Sequence, residues 1–182
     1  MATDRVSGVG DPKALADQLL KNTRLTLSSQ AKQDLERTRD GKPLGACGVT
    51  TLDASLLQLL VKAVEKYTIS INHFVTGLPC DTATGNGHPQ GKAMDISSVN
   101  GNPVRLGNAP DFDGNFTTPA FSPALAKEFV VFMANSMPAG KGGIGQVTCT
   151  AVRGANLPND VDKFGDKCDH FHIDVRDTTT ET

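Results

Sequence analysis

No stretch of this sequence approaches the roughly 20 consecutive apolar residues that a membrane-spanning helix needs, so insertion into a bilayer is not expected. Neither sign of charge dominates: 18 Lys and Arg stand against 20 Asp and Glu, for a net charge of −2 with the signs mixed along the chain. Without a basic field, nucleic acid is not an expected partner. There is no internal repeat, and none of the four cysteines is spaced as Cys-x-x-Cys, the pattern of a structural zinc site. The opening Met1 to Gly10 is short and polar and does not read as a signal peptide.

What is present suits one compact domain over 1–182, with 1–10 and 177–182 expected as flexible tails. Hydrophobic residues make up 38% and charged ones 21%, the balance of an ordinary core. Asp11-Pro12 opens an amphipathic helix through Leu15, Leu19 and Leu20. A second helix is predicted over Ser29 to Arg39, closed by Gly41, and a third over Asp53 to Tyr67, with Leu56, Leu57, Leu59, Leu60, Val61 and Val64 on a broad apolar face. Ser122-Pro123 caps a fourth, which ends before Pro138. Strands are expected at Thr68 to Val75, Lys92 to Ser97, Ile144 to Cys149 and His170 to Val175. This order predicts an α+β domain in which an antiparallel sheet carries the functional site and helices pack on its other face.

Cys47, Cys80, Cys149 and Cys168 lie in Gly-rich and polar segments. An even number permits two disulfides in three connectivities and suits an oxidising compartment. The favoured pairing is Cys47 with Cys80 and Cys149 with Cys168; a rival reading makes Cys80 and Cys168 thiolate ligands of a structural zinc.

Two separated segments carry the chemistry: His88-Pro-Gln-Gly-Lys-Ala-Met-Asp95 and Asp169-His170-Phe171-His172. Side chains alternate along a strand, so Met94 and Ile96 share one face of the first segment while Ala93, Asp95 and Ser97 share the other. The second segment repeats the pattern, with Phe171, Ile173 and Val175 opposite His170, His172 and Asp174. Two such polar faces on paired strands can meet around one ion. His88 follows the Gly/Asn-rich run Thr84 to Gly87, where the backbone can curl its imidazole back towards Asp95, and Gly91 permits close passage of the chain. His88, Asp95 and His172 thus supply the three ligands of a catalytic Zn²⁺ that keeps a fourth position open.

The pattern His88-x-x-Gly91-x-Ala93-x-Asp95, followed by His170-x-His172, resembles that of the zinc peptidases that cut bacterial peptidoglycan peptides. These are the superfamily of D-Ala-D-Ala carboxypeptidases, lysostaphin-type enzymes and phage L-Ala-D-Glu endopeptidases, whose metal fold is shared with the Hedgehog signalling domain. The matching positions cover about a tenth of the chain, in the right order. The resemblance implies a Hedgehog/DD-peptidase-like fold, His88, Asp95 and His172 as zinc ligands, and peptidoglycan stem peptides as substrate. A secreted or cell-wall-associated monomer is expected; if the protein is exported, this sequence is read as a mature fragment or one domain of a longer precursor, with a phage lysin as the other reading. Asn86 stands where relatives often have Ser, and Phe74-Val75-Thr76-Gly77 supplies no counterpart of the substrate-binding Arg that many have.

For the catalytic acid/base, relatives use either an acid three residues before the last ligand, here Asp169, or the first His of the His-x-His pair, here His170. In a regular strand His170 shares the face of His172 while Asp169 points away, so Asp169 reaches the reaction only if the strand begins after it. The two are expected to act together. His73 completes no ligand set and is read as a hydrogen-bonded or surface residue, and Asp174 as a supporting or solvated carboxylate. The run Asp111 to Asn115 lacks the spacing of a calcium loop and is read as solvated surface. Long loops over Asn100 to Phe121 and Thr150 to Lys167 are expected to wall an open cleft. Two other readings stand beside the peptidase: a non-catalytic zinc-bearing module that binds cell wall or protein, and a hydrolase of another amide or ester.

Overall fold

The structure is a computed structural model that describes residues 5–80, 87–107 and 119–177. The run Asp111 to Asn115, Asn86 and the outermost residues of both expected tails lie outside the described residues.

Helices form where periodicity and capping coincide. In α1 (Pro12–Leu20) the Asp11 carboxylate accepts from the Lys13 N–H, and Pro12 occupies the first turn, where no N–H is required. The Ser28 hydroxyl accepts from Ala31 to open α2 (Ser29–Asp40), which stops at Gly41 in the left-handed region, φ 66°. Asp53 caps α3 (Ala54–Lys66), which buries Leu56, Leu57, Leu59, Leu60 and Val64. Ser122 caps α4 (Pro123–Ser136).

Among the described residues seven strands, β1 (Leu25–Leu27), β2 (Ile69–His73), β3 (Ala93–Val99), β4 (Asn102–Pro103), β5 (Lys141–Ile144), β6 (Asp162–Lys163) and β7 (Phe171–Asp177), form one sheet ordered β1-β2-β3-β7-β5-β6, with β4 on β3. The sheet is mixed rather than antiparallel as expected. Its middle, β2-β3-β7-β5, is antiparallel, but β1 runs parallel to β2 and β6 parallel to β5. A parallel neighbour needs a long crossover, and α2 with α3 supplies it between β1 and β2. At three and two residues, β1 and β6 are too short to leave a period-2 pattern in the sequence.

The strand expected at Ile144 to Cys149 lies instead at Lys141–Ile144. Gly142 and Gly143 form it because they pass close to β7: a Cβ on Gly142 would stand 2.7 Å from the Asp174 carbonyl oxygen, and one on Gly143 2.8 Å from its carboxylate. Gln146, at φ 59°, then turns the chain out of the sheet. Residues 5–10 lie against the fold, the Val6 N–H donating to Ser136 O at 2.9 Å and Arg5 pairing with Asp160 at 2.6 Å.

Both expected disulfides are present, Cys47–Cys80 and Cys149–Cys168, and no cysteine is left as a thiolate ligand. Met94, Ile96, Phe171 and Ile173 are fully buried on one face of the central strands. Phe171 meets Phe129 of α4 at 5.1 Å and Phe121 at 5.6 Å, edge or tilted, so helices cover that face. The opposite face of the same two strands presents Asp95, His172 and Asp174.

Candidate metal centre

Asp95 and His172 are direct cross-strand partners in the β3–β7 register. Opposed residues point to the same face of a sheet with their Cβ atoms about 5 Å apart, so pairing alone brings this carboxylate and imidazole together. His88 comes from a short 3₁₀ turn, His88–Gln90, framed by Gly87 and Gly91, both at positive φ. Gly91 is needed for packing as well, since a Cβ there would stand 2.8 Å from Thr51 O. The turn brings His88 Nε2 to 3.2 Å from Asp95 Oδ1 and 3.3 Å from His172 Nδ1, while His172 Nδ1 is 3.3 Å from Asp95 Oδ1. Donors bonded at about 2.0–2.1 Å to a tetrahedral ion are about 3.3 Å apart. The triangle therefore has the edge length of three corners of such a shell, and His88, Asp95 and His172 could hold a metal ion.

Hydrogen bonds assign the tautomers. His88 Nδ1 donates to the Phe74 carbonyl, which puts the lone pair on Nε2. His172 has the opposite arrangement: Nε2 faces Asp174 Oδ2 at 3.5 Å, which puts the lone pair on Nδ1. The nitrogens left with lone pairs are the ones that face Asp95. All three residues are nearly buried, at 5%, 9% and 2% exposure for His88, Asp95 and His172.

With no ion bound, charge pairing dominates. Burial works against ionised Asp95, but hydrogen bonds from His172 and His88 outweigh it and hold the carboxyl well below its usual range. Burial likewise opposes a charged His172, yet Asp174 and Asp95 push its pKa up to about 9. His170 is pushed up to about 8, desolvation being outweighed by Asp166, Asp95 and Asp169.

The strand begins at Phe171, so both Asp169 and His170 precede it. Asp169 does not face the donor triangle: its side chain is 73% exposed and its Oδ1 accepts from His170 Nδ1 at 2.8 Å. His170 Nε2 is the atom that faces inwards, 3.5 Å from both Asp95 Oδ1 and Asp166 Oδ2. The pair thus forms a carboxylate–imidazole relay with Asp169 on the outside.

Two residues of this site have no counterpart in the sequence reading. Asp166 Oδ2 lies 3.9 Å from His172 Nδ1, and Asp166, His170 and His172 make a second group with metal-holding spacing. The Nδ1 of His172 that faces Asp166 is the one that faces Asp95 and His88, so the two groups share that nitrogen. Asp166 was hidden in a stretch rich in Gly, Asp and Lys; its spacing of four from His170 was the available signal. Gln146, fully buried, accepts from the His172 N–H at 2.8 Å and lies 3.4 Å from His170 Nε2. Only its left-handed backbone, which no sequence pattern announced, places it there.

His73 pairs in register with Asp95 from the β2 side, but its Nδ1 lies 3.3 Å from Thr76 O and it joins neither group. Among the described residues no helix is long and apolar enough to cross a membrane. Comparison of the chain with protein-family models, with curated proteins and with solved structures returned no match.

Proposed function

We propose that this chain is a zinc-dependent hydrolase that cleaves peptide bonds of bacterial peptidoglycan stem peptides, of the D-Ala-D-Ala carboxypeptidase or endopeptidase type. The observation that carries the hydrolase reading is the asymmetry of the site. Three buried donors have the spacing of one face of a tetrahedral shell, and the more exposed His170 and Asp166, whose side chains are 17% and 24% exposed, stand beside them. Two imidazoles and one carboxylate suit zinc. The Asp169 carboxylate on Nδ1 of His170 gives that imidazole the partner of an acid/base, which a purely structural zinc site would not need.

Zinc bound there would polarise the scissile carbonyl and lower the pKa of an attacking water. His88, Asp95 and His172 would hold the ion, with Phe74 O and Asp174 fixing the two rings. His170 Nε2 takes the proton of the attacking water and delivers it to the leaving amine, and Asp169 on Nδ1 holds the ring in the tautomer that can accept it. Asp166 supplies negative charge beside His170 while it is protonated. The stem-peptide substrate follows from the motif resemblance, and the two disulfides agree with work outside the cell.

The test is digestion of purified peptidoglycan and defined stem peptides by zinc-loaded and chelator-treated protein, with products identified by mass spectrometry. Zinc-dependent release of D-Ala or of cut stem peptides is expected. Stoichiometric zinc with every wall peptide intact would favour a binding module, and zinc-dependent cleavage of simple esters or other amides alone would move the substrate class.

A further inference from the structure

One fully buried carboxylate takes no part in the chemistry above. Asp34 lies on α2 at 0% exposure. A buried carboxylate is costly unless its oxygens are well supplied with donors. Here the N–H groups of Val75 and Thr76 both donate to Oδ2 at 2.9 Å, and the Thr76 hydroxyl donates to Oδ1 at 2.5 Å. β2 has ended at His73, so these two N–H groups lie beyond its ladder and are satisfied by the side chain instead.

The Val75 N–H and the Phe74 carbonyl belong to the same planar peptide unit. Its N–H end rests on Asp34, and its carbonyl end accepts from Nδ1 of His88. The order is therefore carboxylate, peptide, imidazole, and it ends at His88 Nε2 facing Asp95. A charged acceptor on the N–H polarises the peptide and strengthens the hydrogen bond at its carbonyl. A stronger acceptor on Nδ1–H in turn makes the opposite ring nitrogen a better donor to a metal.

We propose that Asp34 is a positioning residue for the metal: acting through the Phe74–Val75 peptide, it fixes the tautomer of His88 and raises the basicity of Nε2. The consequence for zinc rests on the reading of the site given above. Asp174 does for His172 by direct contact what Asp34 does for His88 across one peptide.

Asp34→Asn separates this role from a turn staple. The amide oxygen can still accept from both N–H groups and the amide nitrogen can donate to the Thr76 hydroxyl, so the staple survives while the charge is lost. The measurement is NMR of the histidine ring nitrogens and their protons in metal-free and zinc-loaded protein, with zinc affinity from chelator competition. In D34N the fold is expected to persist, the His88 Nδ1–H proton to move upfield in both forms, and zinc affinity to fall about tenfold. A folded D34N with that resonance unmoved and zinc affinity within about twofold of the parent overturns the proposal. If the parent takes up no zinc while D34N still moves the resonance, the zinc reading fails and the coupling through the peptide stands. Should D34N not fold, Thr76→Val withdraws one donor but keeps the charge. The resonance is then expected to move downfield, and no movement overturns the proposal.

Discussion

Asp174 Oδ2 stands 3.5 Å behind Nε2 of His172, with both side chains almost fully buried at 1% and 2%. This carboxylate decides which nitrogen of His172 carries the proton. An Asn at 174 can offer an N–H to Nε2, which moves the proton to Nδ1 and blocks the donor atom. Asp174→Asn is therefore expected to weaken zinc binding by about 10–100-fold. Chelator competition reads this directly, and an affinity within about twofold of the parent would show that Asp174 does not orient the ring.

The raised pKa of His172 fixes the sign of the pH dependence. Its folded value, about 9 without metal, lies above the ordinary 6.5, so its contribution to stability is fully present below about pH 6.5 and is lost as pH rises to about 9. Asp95 and Asp174 behave oppositely: both are held below the ordinary 3.8, so their contribution is present above that pH and is lost as pH falls through the lowered values. Metal-free protein should unfold at progressively lower temperature between about pH 6.5 and 9. Zinc must displace the His172 proton, so uptake at pH 7 should release protons and tighten as pH rises towards 9. Indicator-dye titration and thermal melts across the range test both statements; proton-neutral uptake at pH 7 would contradict them.

Substitutions at the site should divide into two kinds. His172→Ala is expected to abolish both zinc binding and hydrolysis, because it removes a corner of the triangle. His170→Ala should leave zinc bound and lower kcat by about 10²-fold or more, the usual scale of general acid–base catalysis. Asp169→Ala and Asp166→Asn should also leave zinc bound, with smaller losses. Metal content by mass spectrometry and turnover on stem peptides give the comparison. Full activity in the His172 variant would remove the site altogether.

Cys149–Cys168 closes a loop with a sequence separation of 19 that contains Asp166 and ends just before Asp169. A cross-link of that span contributes about 3 kcal/mol in the loop-entropy account. The double variant Cys149→Ser with Cys168→Ser should melt roughly 6–12 °C lower. It should also lose turnover while keeping zinc, because His88, Asp95 and His172 lie outside the loop. Loss of zinc with turnover would mean that the loop supports the ligands themselves.

The polar half of the site was legible because strand alternation is strict. Once Phe171, Ile173 and Val175 are assigned to the core, His172 and Asp174 must lie opposite, and likewise Met94 and Ile96 fix Asp95. The helices were legible through Asp11-Pro12, the stop at Gly41, the apolar face from Leu56 to Val64 and the Ser122 cap, while Ser28 and Asp53 emerge as caps only in the structure. What escaped depends on long-range contact. Gly142 and Gly143 make a strand only because β7 approaches them, which local propensity does not express. β1 and β6 are too short for any period to show. Asp166 and Gln146 reach the site from outside regular strands, where no alternation says which way a side chain points. The Asp169–His170 relay was open in sequence because it turned on whether the strand starts before or after position 171.

The β3–β7 register ties assembly of the sheet to the ion. Because side chains alternate, sliding β7 by one residue against β3 would point Phe171 and Ile173 outwards and His172 into the apolar layer. An ion held between Asp95 and His172 therefore rewards one alignment of the two strands and no other. A metal held as proposed would act as a proofreading step on strand pairing: chains loaded with it would be chains correctly threaded, and refolding in its presence should draw slipped chains towards that alignment by mass action.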